Sequence, residues 1–230
     1  MKPFLRFAAT AYGVSWALWS PALACRGRGL AGALAGVIGT AGPAIAAGIE
    51  ARRGAPITTS EFASRCRRAP TNPLWWSVAL GVPMATTLGA ATLAANRIDP
   101  ARGTDPNVTP AHVAGTAAVA LTVALPDGPI GEEPGWRGYA VPMLQRGHSP
   151  LTASLLVGIA WSVWHIPLLA AMPSLRFEVP LGADLGPYTA WLTAQSVFHT
   201  WLHNASGGGV PVAGTRGRLA LTPRTSRASA

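Results

Sequence analysis

The amino-acid sequence alternates between long uncharged apolar blocks and short polar or basic segments. A transmembrane helix needs about 20 apolar residues to cross about 30 Å of hydrocarbon, and the blocks are close to this length. Their apolar residues are continuous, whereas a soluble amphipathic helix carries them along one face. The sequence therefore predicts an all-α fold, a polytopic transmembrane helix bundle of about six spans. The predicted spans are 7–25, 29–49, 74–95, about 111–129, 151–172 and about 187–203.

The first block has a second interpretation, a cleaved signal peptide. Lys2 and Arg6 make a basic start, and residues 22–25 resemble a cleavage or lipoprotein box. Trp16 and Trp19 suit a membrane-interface belt better than a cleavable apolar segment, and further spans follow. We therefore interpret the block as the first transmembrane helix.

Composition and charge agree with a membrane location. The chain of 230 residues is 49% hydrophobic and 12% charged, about half the charged fraction of an ordinary soluble domain. Its net charge of +9 comes from basic residues between the apolar blocks, as membrane topology requires, so no nucleic-acid partner is expected. Basic residues are concentrated on the side of the two termini, which predicts that both termini are cytoplasmic. Cys25 and Cys66 show no metal-ligand or redox spacing.

The most unusual polar residues are Glu132, Glu133 and Arg137, which directly follow an apolar stretch. An ionisable residue costs about 2.5 to 3.5 kcal/mol at the centre of a membrane helix, so such residues usually have a function. If Pro134 lies in a first helical turn, Glu133 and Arg137 share one face and Glu133 becomes the partner of Arg137. Glu132 is then the candidate general base. The alternative is a cytoplasmic loop in which both glutamates are solvated and Arg137 only sets topology.

Histidines supply a second set of candidates. His165 lies deep in an apolar block, where an imidazole can bind a metal, relay a proton or simply pack between helices through a hydrogen bond. His199 and His203 are four residues apart and could share a helix face as ligands. His203 is alternatively an interfacial residue.

The motifs resemble those of a known family. Residues 132–139, EEPGWRGY, resemble the EExxxR motif of the CPBP family of intramembrane proteases, which includes CAAX prenyl proteases and the Abi bacteriocin self-immunity proteins. Residues 161–165 resemble the second motif, an aromatic residue four before a histidine, and Pro167 is also typical. Residues 200–208 resemble the stretch before the last core helix of the family. The resemblance covers residues 1 to about 208.

The resemblance implies the chemistry of the candidate site. Glu132 and His165 would activate a water molecule for attack on a peptide carbonyl, with Glu133 and Arg137 holding Glu132 in place. The expected activity is that of a membrane metalloendopeptidase, acting on a membrane-associated protein or peptide in the lipid bilayer of the cell. The expected cofactor is a divalent metal ion, zinc, with Glu132, His165 and His199 as ligands.

The end of the sequence departs from the family pattern. The family has a later helix with a His and an Asn or Asp four apart, whereas the composition here changes after Gly208 to Arg, Thr, Ser and Pro. We therefore predict N-terminal transmembrane helices at 1–110, a protease core at 111–208, and a disordered basic tail at 209–230 that is truncated or frame-shifted. Two other functions stay open at this point. They are a catalytically impaired scaffold or immunity protein that binds a partner, and a transporter in which the glutamates and His165 relay protons.

Overall fold

The structure is a computed structural model that describes residues 1–24, 29–54, 56–79, 81–82, 131–171 and 181–209. Within these ranges the chain forms helices and turns and no strand, so the predicted all-α class is confirmed. The predicted fourth span, most of the third span and the tail from residue 210 lie outside the described residues. The predicted domain boundary at 110/111 lies outside them as well.

The N-terminal part contains three helices, the first in one long apolar segment and the other two in a second such segment. Helix α1 is Lys2–Ala24, α2 is Gly29–Gly39 and α3 is Gly42–Arg52. The predicted span 29–49 coincides with a segment that is long and apolar enough to cross a membrane, Leu30–Arg52, but a turn at Thr40 and Ala41 divides it into α2 and α3. Pro43 lies in the first turn of α3, where its missing N–H costs no hydrogen bond, whereas inside a continuous helix it would break one.

The predicted arginine-rich loop contains a short helix. Helix α4 is Thr59–Arg67, and residues 73–79 are the described beginning of α5. A capping box starts α4, since the Thr58 side chain accepts a hydrogen bond from the Glu61 N–H and the Glu61 side chain accepts one from the Thr58 N–H. None of the residues of α4 is buried, so this helix lies on the surface.

The C-terminal part supplies the remaining elements. Helix α6 consists of an α turn at Glu133–Gly135, a π turn at Trp136–Ala140 and an α turn at Val141–Leu144. Helix α7 is Pro150–Trp164, α8 is Ile166–Ala171 and α9 is Leu181–Ala205. The Ser149 hydroxyl caps α7 by accepting from the Thr152 N–H at 3.1 Å.

The helices pack around a core that is rich in aromatic residues. Helix α1 packs against α2, α3 and α8, α6 packs against α3, and α7 packs against α9. The ring of Phe7 contacts Trp136 and Tyr139 of α6 at centroid distances of 5.5 and 5.4 Å. Trp19 of α1 contacts Trp164 of α7 at 4.6 Å. These contacts place α6 and α7 beside each other, next to α1.

Apolar side chains are also exposed along whole helix faces. On α7, Leu151, Leu155, Ile159 and Val163 recur every four residues and are 37–57% exposed. A continuous exposed apolar stripe of this kind is typical of a surface that contacts lipid or another protein. Among the described residues, one segment, Leu30–Arg52, is long and apolar enough to cross a membrane, and Pro150–Trp164 is a shorter apolar helix.

Candidate active site

The two predicted glutamates lie at the start of α6. Glu132 is the N-cap residue, Glu133 is the first helical residue, and Pro134 lies in the first turn as the sequence predicted. The side chains of Glu132 and Glu133 are buried, with 0% exposure. The alternative of a loop with solvated glutamates is therefore wrong. Buried carboxylates need hydrogen-bond or charged partners, and the surrounding helices provide them.

Glu133 and Arg137 form the ion pair that their spacing indicated. Arg137 Nη1 donates to Glu133 Oε1 at 2.8 Å, and both side chains are fully buried. Arg137 lies in the π turn, where the Val141 N–H bonds to the carbonyl of Trp136, five residues earlier. Single π turns inside α-helices are frequent at functional sites.

Two glycines bring α6 against the turn between α2 and α3. A Cβ atom on Gly135 would lie 2.4 Å from the carbonyl oxygen of Pro43, and one on Gly131 would lie 2.7 Å from Thr40 Oγ1. The Ala44 N–H donates to the Gly131 carbonyl at 3.2 Å. Small residues at such a contact let two backbones approach closely, and here they set the position of the glutamates against α3.

We expect Gly135→Ala to lower the free energy of unfolding by about 1 to 3 kcal/mol, the usual cost of overpacking a tight interface. The new methyl group would meet the Pro43 backbone, which cannot move away as a flexible side chain could. Thermal unfolding of the detergent-purified protein measures the effect.

Gly48→Ala is the matched control, since Gly48 lies inside α3 and its Cβ position has no described atom within 4 Å. Alanine favours helix over glycine, so this variant should be as stable as the wild type or more so. Equal destabilisation by both substitutions would contradict a specific contact at Gly135.

Glu132 bonds to a residue outside the predicted set. Trp161 Nε1 on α7 donates to Glu132 Oε2 at 2.6 Å, and this hydrogen bond is buried. The guanidinium of Arg137 also lies over the face of the Trp161 ring, with its Cζ atom 4.7 Å from the ring centroid. At this distance an arginine and an indole face attract each other through a cation–π interaction.

His165 lies at the C-terminal end of α7, directly before α8. It is buried, and its Nδ1 lies 2.9 Å from the Trp161 carbonyl oxygen. Its ring contacts Trp164 at 4.6 Å and Tyr188 of α9 at 5.9 Å. The imidazole is thus enclosed by aromatic rings from two helices.

His199 and His203 lie on one face of α9 and both are buried. The His199 ring contacts the Trp161 ring at a centroid distance of 6.3 Å, so it belongs to the same cluster. No described ring contact joins His203 to Trp161 or His165. The structure therefore gathers Glu132, Arg137, His165 and His199 around Trp161, and Glu133 joins through Arg137.

The predicted metal ligands do not form a recognisable metal site within the described part of the chain. No three His, Cys, Asp or Glu side chains come together there in a group that could hold an ion. Glu132, His165 and His199 surround an indole ring instead. The described residues therefore do not fit a three-ligand zinc site, and the chemistry below is derived from the protein groups alone.

Sequence reasoning placed Trp161 in a motif but not among the site residues. Its aromatic character and its spacing from His165 were visible, and a tryptophan N–H needs a hydrogen-bond partner when it is buried. That requirement, together with a buried carboxylate expected to act as a general base, is the signal that could have found this contact. The partner, Glu132, is 29 residues away in the sequence, and the contact forms only because α6 packs against α7.

Two comparisons with known proteins found similarities to CAAX prenyl proteases. Residues 114–216 match the model of a family described as type II CAAX prenyl endopeptidase, Rce1-like. A segment of 48 residues is 50% identical to CAAX prenyl protease 2 of Methanococcus maripaludis, and it covers 21% of this chain and 18% of that relative. The family match includes Glu132, Arg137, Trp161, His165 and His199. The part of the chain that holds the site is therefore similar to the type II CAAX prenyl endopeptidases.

Proposed function

We propose that this protein is a CAAX-type intramembrane endopeptidase in which Glu132 and His165 activate the water that hydrolyses a peptide bond. The observation that carries the proposal is the buried cluster around Trp161, in which a carboxylate and an imidazole contact the same residue. Buried ionisable groups that hold one another in fixed positions are candidates for catalysis, and the family match covers the whole cluster.

The proposed reaction is acyl transfer to water. Glu132 takes a proton from the water molecule while the water oxygen attacks the peptide carbonyl carbon and forms a tetrahedral intermediate. The C–N bond then breaks, and the proton held by Glu132 passes to the leaving amine. His165 orients the water by accepting a hydrogen bond at its second ring nitrogen, Nε2.

Glu133 and Arg137 have a supporting role in this proposal. The guanidinium of Arg137 neutralises Glu133 and lies over the ring that holds Glu132. A second uncompensated carboxylate beside Glu132 would repel it, so the ion pair keeps the site compatible with a charged base. The substrate class that we propose is the C-terminal segment of a membrane-associated protein, as in a CAAX peptide.

His165→Ala is expected to lower kcat about 10²- to 10⁴-fold, the contribution of a positioned acid–base group. The assay follows cleavage of a prenylated CAAX peptide, and of a library of membrane peptides, by the purified protein in detergent. His148→Ala is a suitable control, since His148 is exposed and lies outside the cluster. Cleavage by His165→Ala at the wild-type rate would refute this role.

The same assay tests the zinc ion that the sequence resemblance implied. A chelator should abolish cleavage, and added zinc should restore it, if a metal acts in the reaction. Full activity in the chelator is the result expected if the protein groups alone carry out the reaction. If neither the wild type nor any variant cleaves a peptide in the library, the protease proposal fails, and a partner-binding scaffold or immunity protein and a proton-relaying transporter stay open.

We also propose six membrane spans with both termini in the cytoplasm. Exposed apolar stripes on the described helices, the candidate span Leu30–Arg52 and the distribution of basic residues support this topology. In a background with Cys25 and Cys66 replaced by serine, Thr104→Cys should react with a membrane-impermeant thiol reagent in intact cells. Ser60→Cys should react only after the cells are opened. The reverse pattern would invert the topology.

A further inference from the structure

We propose that Trp161 is a positioning residue that orients both members of the water-activating pair, Glu132 through its indole N–H and His165 through its backbone carbonyl. This inference rests on the proposed function. It assigns a specific task to a side chain that the chemistry of peptide hydrolysis does not itself require.

The first contact fixes the carboxylate. Trp161 Nε1 donates to Glu132 Oε2 at 2.6 Å, in a position that is closed to solvent. A hydrogen bond to a charged acceptor is short and directional, and it is stronger than one between neutral groups. The bond therefore restrains rotation of the Glu132 carboxylate about its last torsion and holds its second oxygen, Oε1, in a defined direction.

The second contact fixes the imidazole. A backbone carbonyl accepts hydrogen bonds and cannot donate them, so the Trp161 carbonyl at 2.9 Å requires the proton of His165 on Nδ1. In the neutral ring, Nε2 then carries the lone pair and is the nitrogen that can act on water. The hydrogen bond thus selects the tautomer and also sets the plane of the ring.

The third contact connects the indole to the rest of the cluster. The Arg137 guanidinium lies 4.7 Å from the centroid of the Trp161 ring, and the His199 ring lies 6.3 Å from it. Arg137 also pairs with Glu133 on α6, so its own position is fixed. Arg137 therefore restrains the indole ring, and the N–H of the indole in turn restrains Glu132. Rotation of the ring would disturb all of these contacts together, which makes Trp161 a rigid support.

Phenylalanine at position 161 separates the contribution of aromatic packing from the contribution of the N–H donor. It would keep an aromatic face for Arg137 and the same backbone carbonyl for His165, but it would lose the N–H donor and part of the volume of the indole, and the loss of volume is what the Trp136→Phe control measures. If Trp161 acted only by packing, Trp161→Phe would change stability and leave catalysis nearly intact. If the donor positions Glu132, the substitution should impair the chemical step.

The kinetic experiment compares Trp161→Phe with the wild-type chain. We expect kcat to fall about ten- to hundredfold with KM nearly unchanged, the rate equivalent of one hydrogen bond to a charged group. Trp136→Phe is the matched control, because the Trp136 side chain is fully buried and its Nε1 has no hydrogen-bond partner among the described residues. A wild-type kcat in Trp161→Phe would overturn the proposal.

A spectroscopic experiment tests the hydrogen bond without any need for activity. The chain has nine tryptophans, and Trp161→Phe identifies the Trp161 indole signal in a ¹H–¹⁵N spectrum of the labelled protein in micelles. In Glu132→Gln this proton should move upfield, because a neutral amide oxygen is a weaker acceptor than a carboxylate. In Glu61→Gln, a glutamate on the surface helix α4, the signal should stay in place.

The two experiments separate the inference from the proposed function. An indole signal that does not respond to Glu132→Gln overturns the inference even if the protein is an active protease. If the wild-type chain cleaves nothing, the proposed function fails and the positioning role fails with it, whereas the spectrum still decides whether the hydrogen bond exists.

Discussion

Glu132→Gln is expected to lower kcat by at least about 10³-fold, toward the upper end of the range for the loss of a general base. Glutamine has nearly the same size and shape as glutamate, and its amide oxygen can still accept the hydrogen bond of Trp161 Nε1. The cluster should therefore keep its geometry. The amide cannot take a proton from water, so the loss of rate reports on chemistry rather than on folding.

Two measurements make this prediction decisive. Thermal unfolding of Glu132→Gln should match the wild type within experimental error, which would show that the variant is folded. Glu61→Gln, a substitution of the same kind on the surface helix α4, should retain the wild-type rate. Cleavage by Glu132→Gln at a rate near that of the wild type would mean that another group activates the water, and the proposed mechanism would be wrong.

Local spacing predicted the contacts that occur within one helix turn. Glu133 and Arg137 pair because residues four apart share a helix face, and Pro134 lies in the first turn because a proline is tolerated there. The burial of His165 also followed from its apolar surroundings along the chain. Each of these features depends on nearby residues alone, which is why the sequence was sufficient.

Contacts between helices were not predictable in the same way. The hydrogen bond from Trp161 to Glu132 joins α7 to α6, and the contact of His199 with Trp161 joins α9 to α7. Hydrophobic patterning predicts which segments become helices, but it does not give the rotation of one helix against its neighbour. The cluster became visible only when the helices were placed together.

Other structural features were not predicted although the sequence contained a signal for them, because the hydrophobic pattern suggested a different structure. Pro43 marked the break between α2 and α3, yet the continuous small and apolar residues of 29–49 favoured a single helix. Thr58 followed by Glu61 three residues later is the capping-box pattern that begins α4. The π turn at Trp136–Ala140, which packs against α3 and α4, had no such signal.

Arg137→Gln is expected to lower the free energy of unfolding by about 3 to 5 kcal/mol, because it removes the charged partner of a buried glutamate. Arg137 and Glu133 are 2.8 Å apart and fully buried, so the low dielectric of the interior strengthens their attraction and penalises either charge when it is left alone. The surface pair Arg146–Glu61 provides the matched control. It lies at 3.2 Å with both side chains 40–50% exposed, so Arg146→Gln should cost at most about 1 kcal/mol.

The double variant Arg137→Met, Glu133→Leu distinguishes the ion pair from ordinary packing. Replacing both members of a buried pair by apolar residues of similar volume is often neutral or stabilising, so this variant should recover most of the stability that Arg137→Gln loses. Catalysis should stay impaired, since the methionine cannot form the cation–π contact with Trp161. Chemical unfolding in mixed micelles measures the first effect and peptide cleavage the second. If the double variant is no more stable than Arg137→Gln, the cost arises from lost packing of the arginine side chain and not from the broken ion pair.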